Sequence, residues 1–298
     1  MKIVEFDINN VPFNEKEIVL CLGYFDGVHL GHQAIIKESI NEGYPVAVLS
    51  FDNSPSFILG EKGNFELTSI ADKAEIFEDL GVKILFLMHF DKSTLNVTKD
   101  EFIKLVLMKL NVKKIFCGED YRFGTRGEGT PEYLKRFFEV SIVPTIRIGS
   151  EKISSSSIRE FIQKGQIKDA NRCLGRPYRL IGLVAEGKGN GHTIGFPTAN
   201  LDLDANYVFP KEGVYMGYAY IGARKRKAMI CVSTHPTINQ LLDPIIEVHI
   251  IDFDENIYGD TIYVDLIDYM RDVQVYNSLD ELKQQLEIDR EKVKKSLQ

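Results

Sequence analysis

The chain changes its period part-way along, and that change limits what it can fold into. Up to about residue 175, short apolar runs alternate with helical patterns; beyond about Arg179, no helical period returns until the C-terminal segment. In the first half, Ile18-Val19-Leu20-Cys21-Leu22 is apolar at every position, as a strand covered on both faces requires. Further strands are expected over Pro45–Phe51, Val82–Met88 and Lys113–Cys117. Between them a helical pattern opens at Thr68 and ends at Gly81, a suitable C′ residue. Thr98-Lys99-Asp100-Glu101 is a capping box before Phe102–Leu110, and Thr130-Pro131 supplies an N-cap with proline at N1. Strand, helix, strand, repeated, implies an open parallel α/β sheet of Rossmann type. Ligands of such sheets lie beyond the carboxyl ends of the strands.

In the second half, Arg179–Ala185, Val214–Ile221, Lys227–Thr234, Ile245–Asp252 and Thr261–Ile267 read as strands with turn residues between them. Consecutive strands without crossover helices imply a small antiparallel barrel. Ser278-Leu279-Asp280-Glu281 is a second kind of boundary, a capping box opening a terminal helix with Leu282 and Leu286 on one face. The switch falls near Gly175-Arg176-Pro177, so two domains are expected, 1–177 and 178–298, each of ordinary size.

Composition narrows the function classes. The chain is 44% apolar and 27% charged, as soluble globular proteins are. No apolar run approaches the roughly 20 residues of a membrane helix, and Glu5 and Asp7 stand where a signal peptide would be apolar. Four scattered cysteines without a CxxC pair suggest neither zinc nor a disulfide framework, so a cytoplasmic location is expected. A net charge of −7 argues against general affinity for nucleic acid, while leaving room for a small anion. The oligomeric state is not readable.

Four segments carry chemistry. Gly23-Tyr24-Phe25-Asp26-Gly27-Val28-His29-Leu30-Gly31-His32 follows the first strand and opens a helix. Helix N-terminal amides and two imidazoles suit a triphosphate, and donors preorganised around phosphorus stabilise an in-line displacement. Gly31, lacking a side chain, permits close approach. Gly118-Glu119-Asp120-Tyr121-Arg122-Phe123-Gly124 follows the fourth strand; Asp120 suits a ribose hydroxyl and Arg122 a phosphate, although a plain turn is the simpler reading of this segment alone. Ile153-Ser154-Ser155-Ser156-Ser157-Ile158-Arg159 reads as a helix start, with Ser157 and Glu160 as its capping box; a simple serine cap explains it as well as a phosphate site does. The fourth, Gly187 to Asn200, is glycine-rich without the spacing of a Walker A loop. Its Gly187, Gly189, Gly191 and Gly195 allow backbone amides to wrap a phosphate, and Thr198 and Asn200 are oxygen ligands suited to magnesium carried by ATP. In Ile245–Ile250, period-two alternation puts Ile246, Val248 and Ile250 on the core face and Glu247 with His249 on the other.

In their order and wording these segments resemble the bacterial bifunctional riboflavin kinase/FAD synthetase family over nearly the whole chain. The resemblance implies two ATP-dependent reactions: phosphorylation of riboflavin to FMN, and adenylylation of FMN to FAD with release of pyrophosphate. It implies His29, His32, Ser154, Ser155 and Arg159 as ATP-phosphate ligands, in a site that also takes in Gly23, Phe25, Asp26, Gly31, Gly118, Asp120, Arg122 and Ser156. In the kinase half it implies Thr198 and Asn200 on Mg²⁺-ATP, Glu247 as general base toward the riboflavin 5′-hydroxyl, and Arg271 as a flavin or phosphate contact. The implied partners are small molecules only: riboflavin, FMN, FAD and ATP. The chain departs from the family pattern at Ser54-Pro55, Ser156-Ser157, His192, Cys231-Val232-Ser233 and Val273. The last loses an acid that would orient Arg271, so a weak or silent kinase half, leaving an FMN adenylyltransferase alone, is one alternative. A flavin-binding regulatory protein is another.

Overall fold

The computed structural model describes residues 1–54, 58, 65–186, 195–236 and 242–297, with the main chain alone at 235, 236 and 242–244. Gly187, Gly189, Gly191, His192 and Pro55 lie outside the described residues. The chain forms two compact units: residues Met1–Asn64 with Ile70–Ser154, and residues Phe65–Ser69 with Ser155–Gln298.

The first unit is a parallel sheet in the order β1-β4-β3-β2-β5-β6. Its strands are β1 (Lys2–Phe6), β2 (Ile18–Leu22), β3 (Val46–Phe51), β4 (Ile84–Met88), β5 (Val112–Gly118) and β6 (Glu139–Val143). Every described pairing in it is parallel. The uniform apolarity of β2 has its cause here: Ile18, Leu20 and Leu22 join one buried cluster, and Val19 and Cys21 join a second. The strands are linked through α1 (Leu30–Ile40), α2 (Ile70–Asp79), α3 (Lys99–Leu105) and the single turn α4 (Pro131–Leu134). The capping box at Thr98 and Glu101 and the Thr130 cap are present as read, and Gly81 closes α2 with φ +93°. Strands β1 and β6 were not expected from the sequence. Both are edge strands with mixed burial, which hides an apolar period. The chain runs from β2 to β3 on one side, and returns from β4 to β5 on the other side of β2. The carboxyl ends of β2 and β5 therefore flank the topological switch point, where doubly wound sheets bind ligands.

The second unit begins with two helices, α5 (Ser155–Gln163) and α6 (Ile167–Leu174), and continues into a closed barrel. The barrel strands are β9 (Tyr178–Ala185), β10 (Ala199–Leu203), β11 (Gly213–Ile221), β12 (Arg224–Pro236), β13 (Leu242–Ile250) and β14 (Thr261–Arg271); β7 (Arg147–Ile148) and β8 (Glu151–Lys152) form a small hairpin in the first unit. Strand β10 begins within the glycine-rich motif and is not marked as a strand by its sequence: Ala-Asn-Leu-Asp-Leu is polar for a barrel stave. The interior is lined by Leu180, Tyr215, Ile230, Val232, Val248 and Val264, all at most 1% exposed. Gly217 is required: a Cβ there would sit 2.0 Å from the Asp265 carbonyl oxygen. Helix α6 is tied to the barrel by Asn171, whose amide donates to the Leu266 carbonyl at 2.9 Å and accepts from Tyr178 N–H at 2.7 Å. A division at residue 177 by pattern and the compact units by packing thus differ over α5 and α6.

The terminal helix α7 (Leu279–Ser296) covers the outer wall of the barrel. Its Ser278 cap accepts from Glu281 N–H, whereas the Glu281 carboxylate accepts from Asn277 N–H rather than closing the box on Ser278. Val293 packs with Phe196, Met216, Met229 and Ile251. Leu286 reaches the edge of that cluster, while the buried positions of the helix are Asp289 and Val293.

Candidate functional sites in the two units

The turn after β2 is held in an unusual conformation. Phe25, Gly27 and Val28 have φ of 55°, 78° and 38°. Valine disfavours this region because its branched Cβ meets the backbone, and such strain persists where surrounding packing imposes it. Phe25 supplies the packing: it is 1% exposed and meets Phe77 and His32 edge-on, with ring centroids 5.7 and 5.2 Å away. The turn delivers His29 as the N-cap of α1, where its Nδ1 accepts from the His32 N–H at 3.3 Å. A ring nitrogen that accepts carries no proton, so the neutral His29 ring is protonated on Nε2. The two imidazoles stack with centroids 3.6 Å apart and planes 17° apart. Gly31 makes this possible, since a Cβ there would lie 3.1 Å from the His29 ring. Burial first, then the neighbouring His29 ring and the Lys73 ammonium, hold His32 well below the usual imidazole range. Its Nδ1 is buried with no hydrogen-bond partner.

Lys73 belongs to no motif, and nothing in its helix sequence marks it. It is 2% exposed on α2, with its ammonium 4.0 Å from the centre of the Tyr24 ring. A buried ammonium and a helix N-terminus give this strand end a positive character that suits phosphate, beside two neutral imidazoles.

At the neighbouring strand end, Asp120 accepts from the Lys152 ammonium at 2.9 Å, and that contact holds its carboxyl below the usual range. Arg122 is exposed and donates to its neighbour's carbonyl, Tyr121 O. Gly124 has φ +72° and lies against the Lys99 backbone, which leaves no room for a Cβ. The serine segment differs from its reading. Helix α5 starts at Ser155, so Ser157 lies inside the helix rather than at its cap, and Glu160 pairs with Lys164 one turn on. Arg159 donates through Nε to Phe65 O at 3.1 Å. Ser154 closes the first unit, whereas Ser155, Ser156 and Arg159 belong to the second.

The barrel brings together residues far apart in sequence. Asn200 is the register partner of Glu247, Glu247 of Cys231, Cys231 of Val214, and Val214 of Arg271. Register partners share a sheet face, so Asn200, Glu247, Cys231 and Arg271 lie along one row across the outer wall. Burial, and then the Glu247 charge, push the Cys231 thiol up to about 11, so it is a neutral neighbour of the carboxylate. Arg271 is not left without an orienting acid. Asp289 of α7 accepts from its Nε at 2.9 Å and its Nη2 at 2.7 Å, with the two side chains 17% and 4% exposed. The partner expected next to Arg271 in sequence comes from a helix 18 residues on. Gly195, the described member of the glycine set, has φ +80° just before Phe196 and Thr198.

A family model for FAD synthetase matches residues 12–157, and one for riboflavin kinase matches residues 174–297. The bifunctional riboflavin kinase/FMN adenylyltransferase of Listeria monocytogenes is 37% identical over 91% of this chain and 90% of its own. That of Bacillus subtilis is 34% identical over 93% and 92%. A solved Streptococcus pneumoniae structure, described as a macrolide-efflux protein, superposes with a TM-score of 0.91 at 33% identity over 99% of both chains. Among the described residues of the present chain, no helix is long and apolar enough to cross a membrane. The chain belongs to the bifunctional riboflavin kinase/FMN adenylyltransferase family.

Proposed function

We propose that this chain makes FMN from riboflavin on the barrel's outer wall and FAD from FMN at the switch point of the parallel sheet, using ATP each time. The observation that carries the reading is the cross-strand pairing of Asn200 with Glu247, which joins an oxygen ligand to a carboxylate 47 positions away in sequence. In the kinase reaction, Glu247 takes the proton from the riboflavin 5′-hydroxyl as that oxygen attacks the γ-phosphorus of ATP, and ADP leaves. Arg271, steadied by Asp289, meets the flavin or a phosphate. Thr198 and Asn200 would hold a magnesium ion carried with ATP, since both offer hard, neutral side-chain oxygens. Bound there, the ion would screen phosphate charge.

In the adenylyl reaction, an FMN phosphate oxygen attacks the α-phosphorus of ATP and pyrophosphate leaves. The Nε2–H of His29 and the N-terminus of α1 donate to phosphate oxygens, with His32 beside them. Lys73 adds positive charge at the same strand end. Ser154 of the same unit joins the ATP-phosphate set, with Asp120 toward the ribose and Arg122 toward a phosphate. Free thiols at all four cysteines fit a reducing, cytoplasmic setting.

Chromatographic product analysis with riboflavin or FMN and Mg²⁺-ATP tests the reading. His29→Ala and His32→Ala should each lower FAD formation by roughly 10²-fold or more and leave FMN formation intact. Glu247→Gln should lower FMN formation by roughly 10² to 10⁴ and leave FAD formation intact. Any other pairing of variant with lost product refutes the assignment.

A further inference from the structure

The backbone ladder between β10 and β13 pairs Asn200 with Glu247 and Ala199 with Val248. It stops there, beside a proline. Pro197 has no N–H to offer a neighbouring strand, and its carbonyl takes a side-chain donor. That donor is His249, the next residue of β13: its Nδ1 lies 2.8 Å from the Pro197 carbonyl oxygen. A carbonyl only accepts, so the proton sits on Nδ1.

The imidazole is 8% exposed and enclosed. Phe196 covers it with ring centroids 5.1 Å apart, and the Arg290 guanidinium of α7 lies 5.4 Å from the centre of the Phe196 ring. Met229 is the cross-strand neighbour of His249 on β12. The side chain therefore has little freedom, and a rigid donor fixes what it holds. It holds the peptide between Pro197 and Thr198, while the ladder holds Asn200.

We propose that His249 is a positioning residue of the kinase site, whose bond to Pro197 sets Thr198 and Asn200 in place relative to Glu247. The proposal rests on the reading of Thr198, Asn200 and Glu247 given above. His249 touches no substrate; it acts through the backbone of the segment that meets Mg²⁺-ATP.

Two variants separate the bond from the packing. His249→Phe keeps an aromatic ring against Phe196 but has no donor. His249→Asn carries an amide N–H where Nδ1 was. In steady-state riboflavin phosphorylation, His249→Phe should lose roughly tenfold to a hundredfold in kcat/KM for Mg²⁺-ATP, the scale of leaving a buried carbonyl unpaired. Most of the loss should appear as a raised KM, and His249→Asn should recover most of it. FMN adenylylation by both should match the parent. Parental kinetics in His249→Phe, or equal losses in both variants, would overturn the proposal. If His249→Phe does not fold, nitrogen-15 NMR of the unmutated chain decides: a neutral ring protonated on Nδ1 supports the bond, and one protonated on Nε2 refutes it. Glu247→Gln is measured alongside. Full activity in that variant would sink the site assignment itself, whatever the His249 variants do.

Discussion

Replacing Asp289 with alanine tests whether α7 is part of the kinase site or only its cover. Arg271 would lose both charge-assisted bonds to the Asp289 carboxylate, at 2.9 and 2.7 Å. Removing one partner of a fully buried ion pair costs about 3–5 kcal/mol. Here the guanidinium is 17% exposed and keeps its bond to Asp272 O, so a loss of about 2–3 kcal/mol is the better figure. For a unit of this size that lowers the melting temperature by roughly 4–12 °C. A guanidinium no longer held in one orientation should also bind flavin or phosphate less well. Since about 1.4 kcal/mol is a factor of ten, kcat/KM for riboflavin should fall by roughly ten- to a hundredfold. Asp289→Asn, which keeps the shape and can still accept, should fall between the parent and Asp289→Ala. Differential scanning calorimetry and initial rates of FMN formation measure the two effects, with FAD formation from FMN as the unaffected control. Parental melting and parental riboflavin kinetics in Asp289→Ala would show that the pair neither stabilises the wall nor orients Arg271.

Stability should also depend on pH through His32. Its folded-state affinity for a proton is depressed, whereas an unfolded histidine titrates near 6.5; its contribution is therefore full above about pH 6.5 and lost as pH falls below it. The melting temperature of the parent should drop over that range more than that of His32→Asn, and parallel curves would refute the assignment. A fragment from Ser155 to Gln298 should melt well above one from Arg176 to Gln298, because the shorter one strips away buried Ile162, Ile167 and Leu174 and the Asn171 bonds. Equal melting would mean that α5 and α6 add nothing to the barrel's stability.

The legible parts of the fold share one property: their burial is symmetrical or strictly periodic. Strands β2 to β5 carry apolar runs because both faces are covered, β11 is likewise buried on both faces, one in the barrel and one under the terminal helix, and β13 alternates over Ile245–Val248, where one face lines the barrel. The edge strands β1 and β6 and the polar stave β10 lack either signal. The same rule governs the sites. His29, Gly31 and His32 were readable because one turn of chain holds them all. The row from Asn200 to Arg271 was not, because strand register decides it and no local pattern encodes register. Asp289 was missed because its helix was read for an apolar stripe, and a buried carboxylate interrupts such a stripe. The reading of Ser157 as a cap failed because a run of four serines offers several equivalent starting points.

A closed barrel has a seam wherever its lacing is shortest. Strands β11 with β12, and β12 with β13, share nine paired residues each, whereas β10 and β13 share two. Those two rungs include Asn200 and Glu247. If this wall breathes, it parts first between its reacting groups, since local opening follows the fewest cooperative bonds. A nucleotide that bridges the two strands would act as a stitch there, so the empty enzyme should be loosest at its chemistry and the loaded one shut. The cylinder would then tighten around each turnover and slacken after it, with no hinge and no moving domain required.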